Sequence, residues 1–255
     1  MAIKFDTVDD TITCGTQDHL KENSAWSFSC WASTTTSGGG GAGRFLSKST
    51  SATTRVDLYV VGGSGDIAMD IGGATTLSRR AGNGTMPFDG TWNNIIYTFT
   101  GGSTSAAIKI YKNGIEATYI SGADGLTLAN TSPGTIRIGN NNLVNRGFGG
   151  KLSEIALWNA VIGTGTIATL ANARVRGLPL RLETANLTAY WPLDDITLGT
   201  SGDGDTFRDR AGTNTGTGVD GTNNTGLTGT VGDPLSYLLQ NENIYPRGVM
   251  RGVYQ

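Results

Sequence analysis

The stretch WNNIIYTFTGGSTSAAIKIYKNGIEA, from Trp92 to Ala117, decides the fold class of this chain. Apolar residues recur at every second position in two runs, Ile95, Tyr97 and Phe99 in the first and Ile108 and Ile110 in the second. A period of two is the pattern of a strand with one buried face. Asn113 and Gly114 follow the second run, and this pair readily adopts the positive φ angles of a tight hairpin turn. The stretch therefore predicts two antiparallel strands and an all-β protein.

Short runs of similar character recur on both sides of this hairpin, separated by turns rich in Gly, Ser, Thr and Asn. The runs are Ile3–Phe5, Thr11–Cys14, Trp26–Ala32, Arg44–Lys48, Arg55–Val61, Asp66–Ile71, Thr135–Ile138 and Gly150–Trp158. Many strands at this spacing predict a β-sandwich or jelly roll. One helical pattern interrupts them between Thr164 and Ala173, where Ile167, Leu170 and Ala171 would share one face of a short helix.

The composition disfavours several classes of partner. Lys and Arg total 19 against 21 Asp and Glu, a formal net charge of -2, and no basic cluster stands out, so nucleic acid is not an expected partner. No run approaches the roughly 20 apolar residues that span a bilayer, so membrane insertion is not expected either. The first ten residues, MAIKFDTVDD, lack the charged and apolar regions of a signal peptide, which predicts synthesis in a host cytoplasm.

The two cysteines, Cys14 and Cys30, fall inside strand-like runs. We interpret them as buried free thiols, because free cysteine packs as a small apolar side chain. A disulfide is the alternative if their strands are neighbours. Together with the single His19 they cannot supply the four soft ligands of a structural zinc site.

Five motifs follow one another along residues 3 to 175. They are IKFDTVDDTITC at Ile3–Cys14, AWSFSCWAS at Ala25–Ser33, TWNNIIYTFTG at Thr91–Gly101, IKIYKNGIEA at Ile108–Ala117 and GGKLSEIALWNAVI at Gly149–Ile162. In this order they resemble the strands of the laminin-G-like, concanavalin A-like jelly rolls, a family in which the last of these strands is followed by a short helix. The resemblance implies a concanavalin A-like (laminin-G-like) jelly-roll β-sandwich with one short helix and an extended C-terminal segment.

One element of that family is displaced in this chain. LTAYWPLDD, at Leu187–Asp195, follows the helix, whereas many members carry a similar segment before the first strand. We predict that the strand around Tyr190–Leu193 pairs with the sandwich near the N-terminal strand. The chain then divides into a sandwich over residues 1–180, the displaced segment packed on it over 181–218, and a C-terminal arm over 219–255 that docks on a partner or stays mobile.

Enzymatic activity is not expected. A Ser-His-Asp or Cys-His system needs an imidazole base, and the only one, His19, lies in the polar run DHLKE. Glycoside hydrolases on related jelly rolls place paired carboxylates on one strand in an ExDxxE pattern. That pattern is absent here, because IALWN follows Glu154.

Structural calcium is the one cofactor that the resemblance suggests. Jelly rolls of this kind often hold Ca²⁺ near the sandwich edge, and this hard cation takes oxygen ligands. The family's first and closing strands are neighbours, which would bring Asp6 and Asp10 close to Glu154. The alternative is that these acids cap turns or discourage edge pairing. A second acidic group is interpreted as solvated loop acids: Asp203, Asp205 and Asp209.

A ligand surface would come from loops. The resemblance assigns the tryptophans to core packing rather than to a sugar platform: Trp26, Trp31, Trp92 and Trp158. The most polar loop contains the candidate ligand-binding residues Asn140, Asn141, Asn142, Asn145 and Arg146. A long turn without a ligand is the alternative reading of this segment.

Two non-enzymatic functions are predicted. The first is a structural or recognition protein at a virion or particle surface, such as a decoration, head-fibre or tail-associated subunit. It is suggested by a resemblance to standalone laminin-G-like proteins of phage genomes, and its polar arm would bind other protein subunits of the particle or of a homo-oligomer. The second is a calcium-assisted, glycan-binding, lectin-like adhesion module with an extracellular location.

Overall fold

The computed structural model describes residues 2–21, 24–50, 54–72, 75–82, 84–125, 133–173, 175–196, 200–219 and 227–230. Within these ranges the chain forms seventeen strands and one α-helix. The strands are β1 Ala2–Phe5, β2 Thr11–Gln17, β3 Trp26–Thr34, β4 Arg44–Ser49, β5 Arg55–Val61, β6 Asp66–Ile71, β7 Leu77–Ala81, β8 Asn93–Phe99, β9 Ile108–Lys112, β10 Ile115–Glu116, β11 Tyr119–Ala123, β12 Gly134–Ile138, β13 Gly150–Trp158, β14 Leu187–Trp191, β15 Thr206–Phe207, β16 Gly216–Val219 and β17 Thr228–Thr230. The helix α1 spans Thr164–Asn172, and short 3₁₀ turns span Gly39–Gly41, Ser105–Ala107 and Leu178–Arg181.

The strands form two antiparallel sheets. An eight-stranded sheet has the order β10-β9-β8-β3-β13-β1-β17, with β14 also paired to β13. A nine-stranded sheet has the order β11-β7-β6-β5-β4-β12-β2-β16-β15. Apolar side chains from both sheets form one continuous core, which is the arrangement of a β-sandwich. The predicted all-β sandwich with one short helix is confirmed.

The hairpin predicted from the sequence is β8, β9 and β10. Ile95, Tyr97 and Phe99 point into the main core, as their period of two predicts. Asn113 and Gly114 adopt φ angles of 49° and 82° and form the tight turn between β9 and β10. The Asn-Gly turn and the alternation of apolar residues therefore both specify this hairpin.

The outer face of the eight-stranded sheet carries a second apolar cluster under α1. Ile167 and Leu170 of the helix pack with Ile96 of β8 and Tyr190 of β14. The helix covers this part of the sheet, so the face of β8 opposite the main core is buried as well. In this part of the sheet Trp158 is 1% exposed, in keeping with the core role that the resemblance implied.

The segment after the helix adds strands to both sheets. β14 pairs with β13 on the side where β1 also pairs, β16 pairs with β2, and β17 pairs with β1. The boundary predicted at residue 218 thus falls inside β16. Of the predicted arm, residues 227–230 lie in the sandwich, whereas residues 220–226 and 231–255 lie outside the described residues.

Asp209 accepts several backbone hydrogen bonds in this segment, and the prediction that it is a solvated loop acid is wrong. Its side chain is buried, and its Oδ1 accepts hydrogen bonds from the backbone N–H groups of Tyr190, Ala211 and Gly212 at 2.9 to 3.0 Å. Its Oδ2 accepts a fourth from Asn214 at 3.0 Å. The carboxylate therefore fastens the loop after β15 to β14.

Cys14 and Cys30 are both buried free thiols, as predicted. They lie in different sheets, on β2 and β3. Burial raises the pKa of both thiols well above the ordinary range, so they are unreactive packing groups. In the described ranges, no helix has the length and apolarity needed to cross a membrane.

Candidate functional site

A polar pocket of about 210 Å³ opens on the outer face of the nine-stranded sheet. Its floor comes from β4 and β5, because the residues that alternate with the core side chains Val56 and Leu58 point outward. Its rim is the loop between β12 and β13. The residues around it are Arg44, Ser47, Ser49, Arg55, Asp57, Asn141, Asn142, Leu143, Asn145 and Arg146.

Asp57 organises the floor of the pocket. Its carboxylate is 1% exposed and accepts hydrogen bonds from Ser47 Oγ at 2.7 Å and from Arg55 Nε at 3.0 Å. Arg44 Nη2 donates a third at 3.1 Å, and its guanidinium lies 4.3 Å from the centre of the Tyr59 ring. Two guanidinium groups held by one buried carboxylate form a fixed set of donors with a surplus of positive charge.

Tyr59 connects the floor of the pocket to Asp70, through its ring contact with Arg44 and a hydrogen bond. The Tyr59 hydroxyl donates to Asp70 Oδ2 at 3.0 Å. Burial raises the pKa of Asp70 above its ordinary value, and burial together with the neighbouring Asp70 charge raises that of Tyr59. The pair holds the aromatic ring in place beneath Arg44.

The rim contains four of the five residues that the sequence predicted as ligand-binding. Asn141 and Asn145 bond to each other twice, at 3.0 and 3.1 Å, which closes the loop on itself. Asn142 Oδ1 accepts from Arg137 Nη1 at 2.6 Å, and Arg146 Nη1 donates to Gly40 O at 2.5 Å. These contacts fix the rim while amide and guanidinium groups still face the pocket.

The fifth predicted residue, Asn140, does not line the pocket. It is fully buried, its Nδ2 donates to the carbonyls of Val8 and Asp10 at 3.4 and 3.2 Å, and its Oδ1 accepts from the N–H groups of Asn141 and Arg146 at 2.9 Å. Its assignment to ligand binding is therefore corrected. Asn140 is a positioning residue that joins the rim loop to the turn between β1 and β2.

That turn contains the acidic cluster. Carboxylate oxygens of Asp6, Asp9 and Asp10 lie within 4.8 Å of one another, so the structure brings two of the predicted calcium ligands together and adds Asp9. Asp10 Oδ2 accepts from the N–H of Asp6, and Asp6 Oδ1 accepts from the N–H of Val8 at 2.7 Å. Carboxylate oxygens are the donor type that Ca²⁺ prefers. The cluster fits the predicted ion in donor chemistry, and calcium binding stays a prediction.

Glu154 is not part of this cluster, and the prediction that it lies close to Asp6 and Asp10 is wrong. Phe5 pairs with Gly150, and Glu154 lies four residues further along β13, about 13 Å away at the rise of a strand. A bulge in β13 gives Glu154 a φ of 55°. The bulge turns the carboxylate toward the segment after α1.

Glu154 is instead buried under that segment. Its Oε2 accepts hydrogen bonds from the Tyr190 hydroxyl at 2.5 Å and from the Gly177 N–H at 3.0 Å. Arg176 Nη1 lies 3.8 Å from Oε1. Burial raises the pKa of Glu154 to about 7, against the lowering effect of the Tyr190 and Gly177 hydrogen bonds.

Sequence reasoning missed the floor of the pocket. Arg44, Arg55 and Asp57 were recognised only as members of strands. The available signal was the outward row of β5, in which Arg55, Asp57 and Tyr59 alternate with core residues. A charged pair two residues apart in a strand shares one face, and this could have marked the site.

Comparison with known proteins identifies the family. Residues 6–168 match the family model described as the concanavalin A-like lectin/glucanases superfamily. The chain belongs to this superfamily. The laminin-G-like, concanavalin A-like resemblance of the sequence motifs is thereby confirmed. No curated protein sequence matches the chain.

Several solved structures are similar to this chain at low sequence identity. A Bacteroides ovatus protein to which carbohydrate binding has been ascribed is 15% identical, with a TM-score of 0.55, over 89% of this chain and 58% of that one. A heptameric pentraxin of Limulus polyphemus is 15% identical over 67% of this chain and 81% of its own, with a TM-score of 0.49. Domain 4 of an extracellular arabinanase of Geobacillus stearothermophilus, solved with arabinotriose, is 19% identical over 61% of this chain and 70% of that one, with a TM-score of 0.47.

Proposed function

We propose that this chain is a non-catalytic glycan-binding module and that the polar pocket holds the sugar. The observation that carries the proposal is the pocket itself, in which charged side chains form the floor and amides form the rim. A sugar is recognised by a few well-placed polar groups of this kind. Membership of a superfamily named for lectins and glucanases favours a saccharide over other small molecules.

The size and chemistry of the pocket suit a short saccharide. About 210 Å³ is less than the roughly 300–1,000 Å³ of drug-sized sites, so one terminal sugar unit would enter and the rest of a chain would lie along the rim. Leu143, which is 66% exposed at the rim, offers an apolar contact to the C–H face of a ring. Arg146 and Asn145 would hydrogen-bond its hydroxyl groups.

A glycan array followed by calorimetry tests this function. We expect saturable binding that falls at least about tenfold, or 1.4 kcal/mol, in Arg146→Gln and Asn145→Ala. Asn172→Ala is the matched control, because Asn172 is exposed at the end of α1 and, within the described ranges, its side chain bonds to its own helix. A blank array, or equal loss in the control, would count against the proposal.

We further propose that calcium assists binding through Asp6, Asp9 and Asp10. Support comes from the three converging carboxylates and from Asn140, which couples this turn to the pocket rim. Added Ca²⁺ is expected to raise the melting temperature of the wild type and not that of Asp6→Asn/Asp9→Asn. If melting is unchanged by calcium while glycan binding persists, the calcium assistance is wrong and the glycan function stands.

The particle-surface role, with synthesis in a host cytoplasm, remains a separate prediction. It depends on the resemblance to phage proteins and on the arm, most of which lies outside the described residues. Deleting residues 231–255, which follow β17, should abolish association with the source particle while cooperative melting is kept. Retained association would contradict docking through the arm. The alternative is an adhesion module with an extracellular location.

A further inference from the structure

A second cavity lies on the eight-stranded sheet, away from the polar pocket. It encloses about 400 Å³ between β1, β13 and the loop after β3. We call it the lysine groove, because Lys4 and Lys151 line it together with the hydroxyl residues Thr7 and Thr35. None of these four residues has a part in the proposed glycan site.

The two lysines are directly opposed. Lys4 pairs with Lys151 in the antiparallel register of β1 and β13, and both side chains point away from the core. Opposed residues have Cβ atoms about 4.5–5.5 Å apart, at which like charges are destabilising. Over the described part of the chain, neither ammonium group forms an ion pair or a hydrogen bond. The sheet therefore keeps a repulsive pair with no counter-charge bound to it.

Three glycines line the groove beside these side chains. Gly149 lies between Thr7 and Thr36, and a Cβ at this position would collide with the γ-methyl groups of both. Gly150 and Gly90 also line the groove. The hydroxyls of Thr7 and Thr35 make no hydrogen bond with the described residues, so they remain donors for a ligand.

One carboxylate, Asp6, stands at the end of the groove. It belongs to the acidic cluster, since its oxygens lie within 4.8 Å of those of Asp9 and Asp10 and its Oδ1 is occupied by the Val8 N–H. Among the residues that line the groove, the two ammonium groups outnumber this one carboxylate.

We propose that the lysine groove binds a small oxyanion, the sulfate, phosphate or carboxylate group of a ligand, between Lys4 and Lys151. The ammonium groups supply charge, and the Thr7 and Thr35 hydroxyls supply hydrogen bonds. Binding of the anion offsets the repulsion between the two lysines.

Inorganic sulfate is the first probe. The ¹⁵N-labelled protein is titrated at constant ionic strength, and saturable shifts are expected at the amides of Gly90, Gly149 and Gly150. The double variant Lys4→Gln/Lys151→Gln should weaken the fitted Kd at least about tenfold. Lys109→Gln, on β9 of the same sheet and paired with Glu116, is a single-charge control and should leave Kd unchanged. Parallel titrations with phosphate and acetate distinguish tetrahedral from planar oxyanions.

Two further measurements keep the proposal falsifiable if one variant folds poorly. Gly149→Ala keeps both charges but pushes its Cβ against the γ-methyl groups of Thr7 and Thr36, so it should displace the Thr7 hydroxyl and weaken sulfate binding. In sulfate-free buffer Lys4→Gln should melt slightly above the wild type, and sulfate should remove that difference. Shifts that never saturate, or equal Kd values for the wild type and the double variant, would overturn the proposal without touching glycan binding in the polar pocket.

Discussion

Replacing Glu154 by Gln should remove a pH dependence of stability that this carboxyl creates. The pKa of Glu154 is raised from 4.5 to about 7 in the folded protein, and the side chain is 4% exposed, so solvent does not screen the effect. The folded state therefore holds this proton more tightly than the unfolded state. The stabilisation is fully present below about pH 4.5 and is lost as the pH rises through about 7.

The magnitude follows from the shift. At 1.36 kcal/mol per pKa unit, a rise from 4.5 to about 7 corresponds to about 3 kcal/mol of unfolding free energy. Gln keeps a carbonyl oxygen for Tyr190 and Gly177. Its amide N–H₂ would take the place of Oε1, which has no hydrogen-bond partner among the described residues. Glu154 and Asn94 line one small cavity, and Asn94 Oδ1 is a second acceptor without such a partner.

Urea unfolding at a series of pH values measures this effect. Between about pH 4.5 and pH 7.5, the free energy of unfolding of the wild type should fall by about 3 kcal/mol relative to that of Glu154→Gln. Other titrating groups act on both proteins and cancel in the difference. Glu116→Gln, at an exposed carboxylate, is the control and should follow the wild type. The assignment of this proton to Glu154 would be refuted if the difference in unfolding free energy between the two proteins did not change with pH, or if it changed with the opposite sign.

Three other substitutions test buried contacts of the fold by urea unfolding. Asp209→Ala removes the acceptor of four backbone N–H groups and should lower the free energy of unfolding by about 3 kcal/mol. A decrease under about 1 kcal/mol would mean that water replaces the carboxylate as acceptor. Asn140→Ala should cost about 2 kcal/mol, whereas Asn142→Ala at the exposed rim should cost under about 0.5; equal costs would argue against the buried positioning role. Gly139→Ala should cost more than about 2 kcal/mol, because φ is 82° and its Cβ would meet the Phe5 ring, and unchanged stability would contradict that contact.

The hairpin was predictable because each of its features is local. Alternation in β8 and the Asn113–Gly114 turn are specified by neighbouring residues, and they fold as expected. The helix was predictable from the spacing of Ile167 and Leu170. The Asn-rich loop was also found, since polar residues between two strands indicate an exposed connection.

The rest depended on contacts between distant residues. Asn140 resembles the other polar residues of its loop, yet its Nδ2 donates to the carbonyls of Val8 and Asp10, which lie 130 residues or more away. Glu154 was misplaced because a bulge shifts the register of β13, and no local signal announces it. The bonds of Asp209 to Tyr190 and its own loop were equally hidden.

The pairing of β1 has a consequence for the order in which the chain can fold during synthesis. Ile3 has neighbours at Leu152 on one side and Gly229 on the other. A ribosome adds about 5–20 residues per second, so the first strand waits several seconds for its inner partner and several more for its outer one. Until residue 228 has emerged, one edge of this strand offers free N–H and C=O groups to any neighbouring chain. Shortened forms that end before β17 should therefore aggregate on expression, and the aggregates should be rich in intermolecular β-structure. Lower temperature or added chaperone should not recover soluble protein from these forms, whereas it should do so for forms that include β17.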